Sequence, residues 1–295
     1  MKCCVFTVLL PDKNLEGIFQ LLSELHYDGV EIRIKEDYHI APDMILSSLD
    51  NIKELMIRYK LDIPVISTYL PITEHNLILK VFKAAELLGT KGVRLSLGKP
   101  LDGKHSYWNI REEILKELES LLKYIKPFQV KALFETHFQT IISSPSLAYL
   151  LLKKFDPKEV GVIFDPANMI VEGKEDWRLS IDLLGDYIAH VHVKNASWEK
   201  EAGEWVCKWD DLKSGMVNWE NIIKLLLKVK NYKDYFSIED LKDVVLPGTI
   251  GFIGEKLSTK NKTAQPIKPV KVKLDEDIQY LKELEKKILK TKSKY

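Results

Sequence analysis

Hydrophobic positions along the chain alternate between two periods, and the alternation itself is regular. KCCVFTVL (2–9) is a short apolar run of the kind that forms a buried strand, and LEGIFQLLSELH (15–26) then spaces its apolar residues as a helix does. The same change repeats down the chain. YDGVEIRI (27–34) is a turn and a strand, and Pro42 opens a helix to about Tyr59. LDIPVISTYL (61–70) is a strand, and Glu74 to Leu88 is a helix that stops at Gly89. KGVRLSLG (91–98) is a strand with Arg94 and Ser96 on one face, followed by a Gly/Pro/Asp loop and a helix over 108–125. VKALFETH (130–137) is a strand and Ser144 to Phe155 a helix; EVGVIFDPAN (159–168) is strand-like and Asp176 to Leu184 helical. DYIAHVHVKN (186–195) is the seventh strand, and a polar, Trp-rich loop leads from it to the helix NWENIIKLLLKV (218–229). The strand DYFSIEDL (234–241) and an amphipathic helix from Asp275 to Leu289 complete the pattern.

Eight strand–helix units with strands fit for burial on both faces predict a parallel sheet with helical crossovers. At 295 residues the economical closure is a single-domain (β/α)8 barrel over 1–295, with 246–273 a long loop or arm before the last helix. No G-x-G-x-x-G follows the first strand, which disfavours an open dinucleotide-binding sheet. Composition then narrows the class. Lys+Arg 44 against Asp+Glu 43 gives a net charge of +1, so neither nucleic acid nor an anionic membrane is an expected partner. No run of about 18 apolar residues occurs to span a bilayer. Three cysteines, two of them adjacent, fit a reduced, cytoplasmic setting better than a disulfide framework.

The seventh strand carries the first chemical signal. His190, His192 and Lys194 share one face, while Ala189, Val191 and Val193 share the apolar other. In a barrel, strand ends are where sites are built, and four consecutive strands end on a donor: Glu135, Asp165, His192 and Glu239. Three carboxylates brought together without a cation would repel one another, so a divalent metal resolves the crowding. A mostly oxygen set with one imidazole suits Mn2+, Mg2+ or Co2+, with Zn2+ an alternative.

FETH (134–137), FDPAN (164–168), HVHVKN (190–195) and SIED (237–240) resemble the strand-end motifs of the sugar phosphate isomerase/epimerase family, the xylose-isomerase-like barrels. YDGVEIR (27–33) and DLKSGMVNWENII (211–223) resemble further landmarks of that group, which includes ketose 3-epimerases, hydroxypyruvate isomerase and inosose dehydratase. The resemblance implies one divalent metal on Glu135, Asp165, His192 and Glu239. It also implies Glu135 and Glu239 as the acid–base pair that removes and returns a proton through an enediolate. Lys194, Asn168, His137, Glu31 and Trp108 are the substrate-binding candidates, with Trp198 a weaker one, and His190 is expected to pack beside the ligands. The expected substrate is a small carbohydrate, phosphorylated or not, and a homo-oligomer is compatible with the chain. A metal-dependent dehydratase on the same proton abstraction is the alternative function. A nuclease resembling endonuclease IV is disfavoured, because the third and fourth strands lack histidines; a barrel that binds a metabolite without catalysis also remains. Two departures stand out: Asn195 replaces the Asp that usually follows the Lys, and no Arg occurs from 179 to 295.

Overall fold

A computed structural model describes residues 1–36, 38–98, 104–242, 244 and 268–290. Eight parallel strands close into a barrel: β1 (Lys2–Phe6), β2 (Gly29–Lys35), β3 (Val65–Pro71), β4 (Gly92–Ser96), β5 (Lys131–Glu135), β6 (Val160–Phe164), β7 (Ile188–Val193) and β8 (Tyr235–Ile238). Each pairs with its neighbour in sequence, and β1 closes the ring by pairing with both β2 and β8. This is the single (β/α)8 domain that the alternation of periods predicts. The outward side chains of the strands meet the helices in one continuous core, where Phe82, Phe134, Phe164 and Phe236 are fully buried. Among the described residues no helix is long and apolar enough to cross a membrane.

Four local expectations are corrected, each for a physical reason. Pro42 opens only a 3-10 turn, Pro42–Met44, and the α-helix proper is Leu49–Tyr59. Between them Ser47 and Ser48 donate their hydroxyls to the Met44 carbonyl, local bonds that compete with helix propagation. The sixth strand stops at Phe164, because Asp165 caps the helix Pro166–Glu172, accepting the Asn168 N–H at 3.0 Å, with Pro166 at the first helical position. The Trp-rich loop is an antiparallel hairpin, Asn195–Glu201 with Glu204–Asp210, turned at Ala202 and Gly203, both with positive φ. The last helix begins at Val270, so 270–273 of the expected arm is helical, and the part up to 267 lies outside the described residues. Leu274, Ile278, Leu281 and Ile288 give that helix its buried stripe.

A fifth correction concerns the seventh strand. A register shift opposite Val162 and Ile163 turns Ala189 toward the barrel interior, where it packs on Val65, Leu133 and Ile163. Val191 and Val193 keep to the outer, apolar side as expected.

Candidate metal and acid–base centre

Alternate residues of a barrel strand point inward, so each strand delivers its interior side chains in layers. Low in the barrel the layer is apolar and tight. A Cβ on Gly92 would lie 2.4 Å from Leu133, and one on Gly161 2.7 Å from the Ala189 methyl group, so only glycine fits there. One layer up, Glu31, Ser67, His190, His192 and Ser237 replace hydrocarbon, and at the C-terminal mouth come Arg33, Arg94, Glu135, Asp165, Lys194 and Glu239. All of these are buried.

His192 stands at the centre of this upper interior. Its Nδ1 is 3.0 Å from Glu135 Oε1, 3.2 Å from Glu239 Oε2 and 3.8 Å from Asp165 Oδ2. Its Nε2 faces Glu31 at 3.1 Å, and Phe6 stacks on the ring. Glu31 accepts in addition from Ser67, Ser237 and His190, so its oxygens are fully engaged inside the barrel. A carboxylate so held favours a proton on Nε2 of His192, so Nδ1 is the nitrogen that would be offered to a cation lying between the three acids. Asn168 ties two of them together, donating to Asp165 Oδ2 at 2.9 Å and Glu135 Oε1 at 3.3 Å. Thr136 fixes the chain between them by accepting the Asp165 N–H at 3.0 Å. Lys194 Nζ bridges Asp165 Oδ2 at 2.9 Å and Glu239 Oε2 at 3.0 Å, and Arg94 pairs with Glu135 Oε2.

The electrostatics are those of a site short of positive charge. Burial pushes the Asp165 carboxyl up to about 7, with Glu135 and Glu239 adding to the push and Lys194 opposing it. Burial also works to raise Glu135, yet Arg94 and His192 outweigh it and hold that carboxyl well below its ordinary value. For His192 burial favours the neutral ring, but Glu31, Glu135 and Glu239 prevail and raise it well above a free imidazole. The cluster takes up a proton where a cation would serve. Glu135, Asp165, His192 and Glu239 each offer a ligand atom within 4.8 Å of the others, a donor set that fits a divalent ion. Cys4, Glu31 and His190 also lie close together, but the oxygens of Glu31 are already taken by its four donors.

A family model described as xylose isomerase-like TIM barrel matches residues 19–264. The chain belongs to this family. Solved structures of similar fold include the probable 3-DHS dehydratase AsbF of Bacillus anthracis, at 19% identity, TM-score 0.69, and 96% and 99% of the two chains covered. The IolI protein with a zinc atom is 18% identical, with TM-score 0.69 and 100% of each chain covered. A D-psicose 3-epimerase in the presence of D-fructose is 12% identical, with TM-score 0.70 and coverage of 99% and 100%. No curated protein matches the chain in sequence.

In this xylose isomerase-like barrel the other expected residues separate by position. Asn168 lies fully buried behind the acids, and His190 donates through Nε2 to Glu31 Oε2 at 2.9 Å. Glu31, expected at the substrate, is instead sealed beneath His192, a placement suited to orienting that ring. His137 is half-buried near Glu135 and Lys194, its Nδ1 2.7 Å from the Phe138 carbonyl. Trp108 sits on the first turn of the helix Tyr107–Ile125, 61% exposed against Tyr107 and Arg111, outside the cluster. Trp198 donates its indole N–H to the Ile170 carbonyl at 2.7 Å and anchors the hairpin. Asn195 accounts for the missing Asp: its Nδ2 donates to the Leu212 and Val217 carbonyls while Oδ1 accepts the Ala196 and Val217 N–H groups. An aspartate has no N–H for the first two. Sequence reasoning did not assign roles to Arg94, Tyr69 or Trp209, whose ring lies 4.8 Å from Lys194 Nζ. For Arg94 the signal was present, since the alternation of its strand already sets it on the face opposite Val93 and Leu95.

Proposed function

We propose that the protein is a divalent-metal-dependent isomerase or epimerase of small sugars or sugar phosphates, working by removal and return of a proton on carbon. One observation carries the reading: two glutamates from strands three apart, Glu135 and Glu239, present oxygens to the same imidazole nitrogen at 3.0 and 3.2 Å. Glu135, Asp165, His192 through Nδ1 and Glu239 would hold the cation. When bound, the ion supplies Lewis acidity to a substrate carbonyl and the hydroxyl beside it, which acidifies the intervening C–H. Glu239 already accepts Lys194 at Oε2, leaving Oε1 to take the proton. Glu135 is the partner on the other side of the substrate: protonated, it returns a hydrogen to the opposite face of the carbon, and as the carboxylate that Arg94 favours it takes the proton in the reverse direction. Lys194 donates to a substrate oxygen, and His137, with Nδ1 engaged, offers Nε2 to a hydroxyl. Trp209 and Phe138 form an apolar wall beside them.

A dehydratase is the second reading, favoured by Lys194. An ammonium 3.0 Å from the proposed base can hand a proton to a departing β-hydroxyl after the same abstraction. Incubating metal-loaded protein with ketoses and ketose phosphates in deuterated water separates the two. Deuterium uptake with epimer or isomer formation is expected; an unsaturated ketone would favour the dehydratase, and no exchange with any of them would contradict both.

A further inference from the structure

Among the described residues, Arg33 is the inward-facing cation of the barrel mouth whose charge the cluster does not use. It follows Glu31 by two residues on β2, so it shares the interior face one layer nearer the mouth. Only 6% of it is exposed, its Nε has no hydrogen-bond partner, and among the described residues no carboxylate lies within ion-pair distance. Its guanidinium stacks on two rings, 4.3 Å from the Tyr38 centre and 4.9 Å from that of Tyr69. Tyr38 and Tyr69 hold the plane of the fork but bring no negative charge to it.

The contrast with its neighbours is direct. Arg94 is neutralised by Glu135, and Lys194 by Asp165 and Glu239. Buried charges are normally paired, because burial without a counter-ion costs free energy. A guanidinium fixed against aromatic faces, with its buried Nε–H unfilled and no counter-ion among the described residues, is built for a planar or tetrahedral anion that arrives with a ligand. The path from it to the acids is short. Tyr69, 40% exposed at the rim, touches Arg33 on one side and Arg94 at 4.9 Å on the other, and Arg94 reaches Glu135.

We infer that the substrate carries an anionic group, a carboxylate or a phosphate, bound by Arg33 at the β2–β3 side of the mouth while its carbonyl end lies on the Glu135–Glu239 side. This deepens the proposed function and rests on it for the identity of the reacting end. The anion is held equally in the substrate and in the transition state, so it serves affinity, lowering KM and leaving kcat nearly unchanged.

The test uses the metal-loaded full chain and two independent readouts. In deuterated water, exchange is followed with D-fructose, D-fructose 6-phosphate and 5-keto-D-gluconate, which share a ketone and differ in charge. The expected result is a KM at least tenfold lower for one anionic ketose than for fructose. Arg33→Gln should raise that KM tenfold or more, with kcat within about twofold and the fructose KM unchanged; which ketose responds tells phosphate from carboxylate. Arg33→Lys keeps the charge without the fork and should fall between. Calorimetric titration with inorganic phosphate, D-gluconate and uncharged sorbitol needs no turnover, so it decides the point even if none of the ketoses exchanges and the isomerase reading fails. Binding of an anion but not sorbitol, lost in Arg33→Gln and partly kept in a folded Arg33→Lys, supports the subsite. Equal affinity for charged and uncharged ligands, or an Arg33→Gln effect that is the same for all of them, would overturn it.

Discussion

The two ends of the barrel interior are lined from the same strands yet obey opposite rules. On β5 the inward residues are Leu133 and then Glu135; on β6, Gly161 and Ile163, with Asp165 just past its end; on β3, Val65, Ser67 and then Tyr69. The lower end is stabilised by close apolar packing that leaves no room even for a methyl group on Gly92 or Gly161. The upper end concentrates carboxylates, an imidazole and cations that satisfy one another only in part, an arrangement that costs stability and is rational only if something binds there. Fold and site are thus separable along each strand, two residues apart.

Substitutions at the two ends should part company accordingly. Glu239→Gln removes the proposed base without changing volume. Turnover should fall by about 10²–10⁴-fold at saturating metal while circular dichroism still shows a folded barrel; undiminished turnover would take Glu239 out of the mechanism. At the lower end Leu133→Ala should do the reverse, lowering stability by about 2–5 kcal/mol in denaturant titrations while activity per folded molecule persists. Between the layers, Glu31→Gln weakens the acceptor that orients His192, so metal affinity measured by calorimetry should drop by roughly 10–100-fold. An unchanged affinity would show that Glu31 serves packing alone.

The smallest expected effect sharpens the same contrast outside the barrel. Asp277 on the last helix lies buried near Asp240 and Lys273, and burial, reinforced by Asp240, pushes its carboxyl up to about 8. A carboxyl raised in the folded state is favoured there only when protonated. Its contribution is intact below the ordinary carboxylate pKa and is lost as pH rises through about 8. Asp277→Asn should therefore raise the melting temperature by a few degrees at pH 9 and leave it unaltered near pH 3.5. Equal shifts at both values would contradict this.

Much of this was legible in the sequence, and the reasons differ by element. The strands declared themselves because apolar runs of strand length alternate with helical spacing, and the donors because Glu135, Asp165, His192 and Glu239 fall near the ends of consecutive strands. What the sequence obscured was local competition. Asp165 looks like a strand residue until its side chain is seen capping the next helix, and the rim hairpin hid among lysines and glutamates because both of its faces are largely polar. Ala189 changed sides through a register shift that no alternation pattern announces. Glu31, a substrate-binding candidate from the sequence, lies one layer deeper than the mouth, since depth in a barrel follows from strand stagger rather than from residue type. Trp108 invited a role through its chemistry alone, and a helix first turn kept it outside the cluster.

The claim beneath all of this is that four side chains converge on one cation. Anomalous scattering from crystals grown with Mn2+ tests it most directly. The account predicts a single strong peak bonded to Glu135, Asp165, His192 Nδ1 and Glu239, lost in the Asp165→Asn/His192→Gln double variant. No peak between these four groups, or one bound to His192 through Nε2, would contradict it.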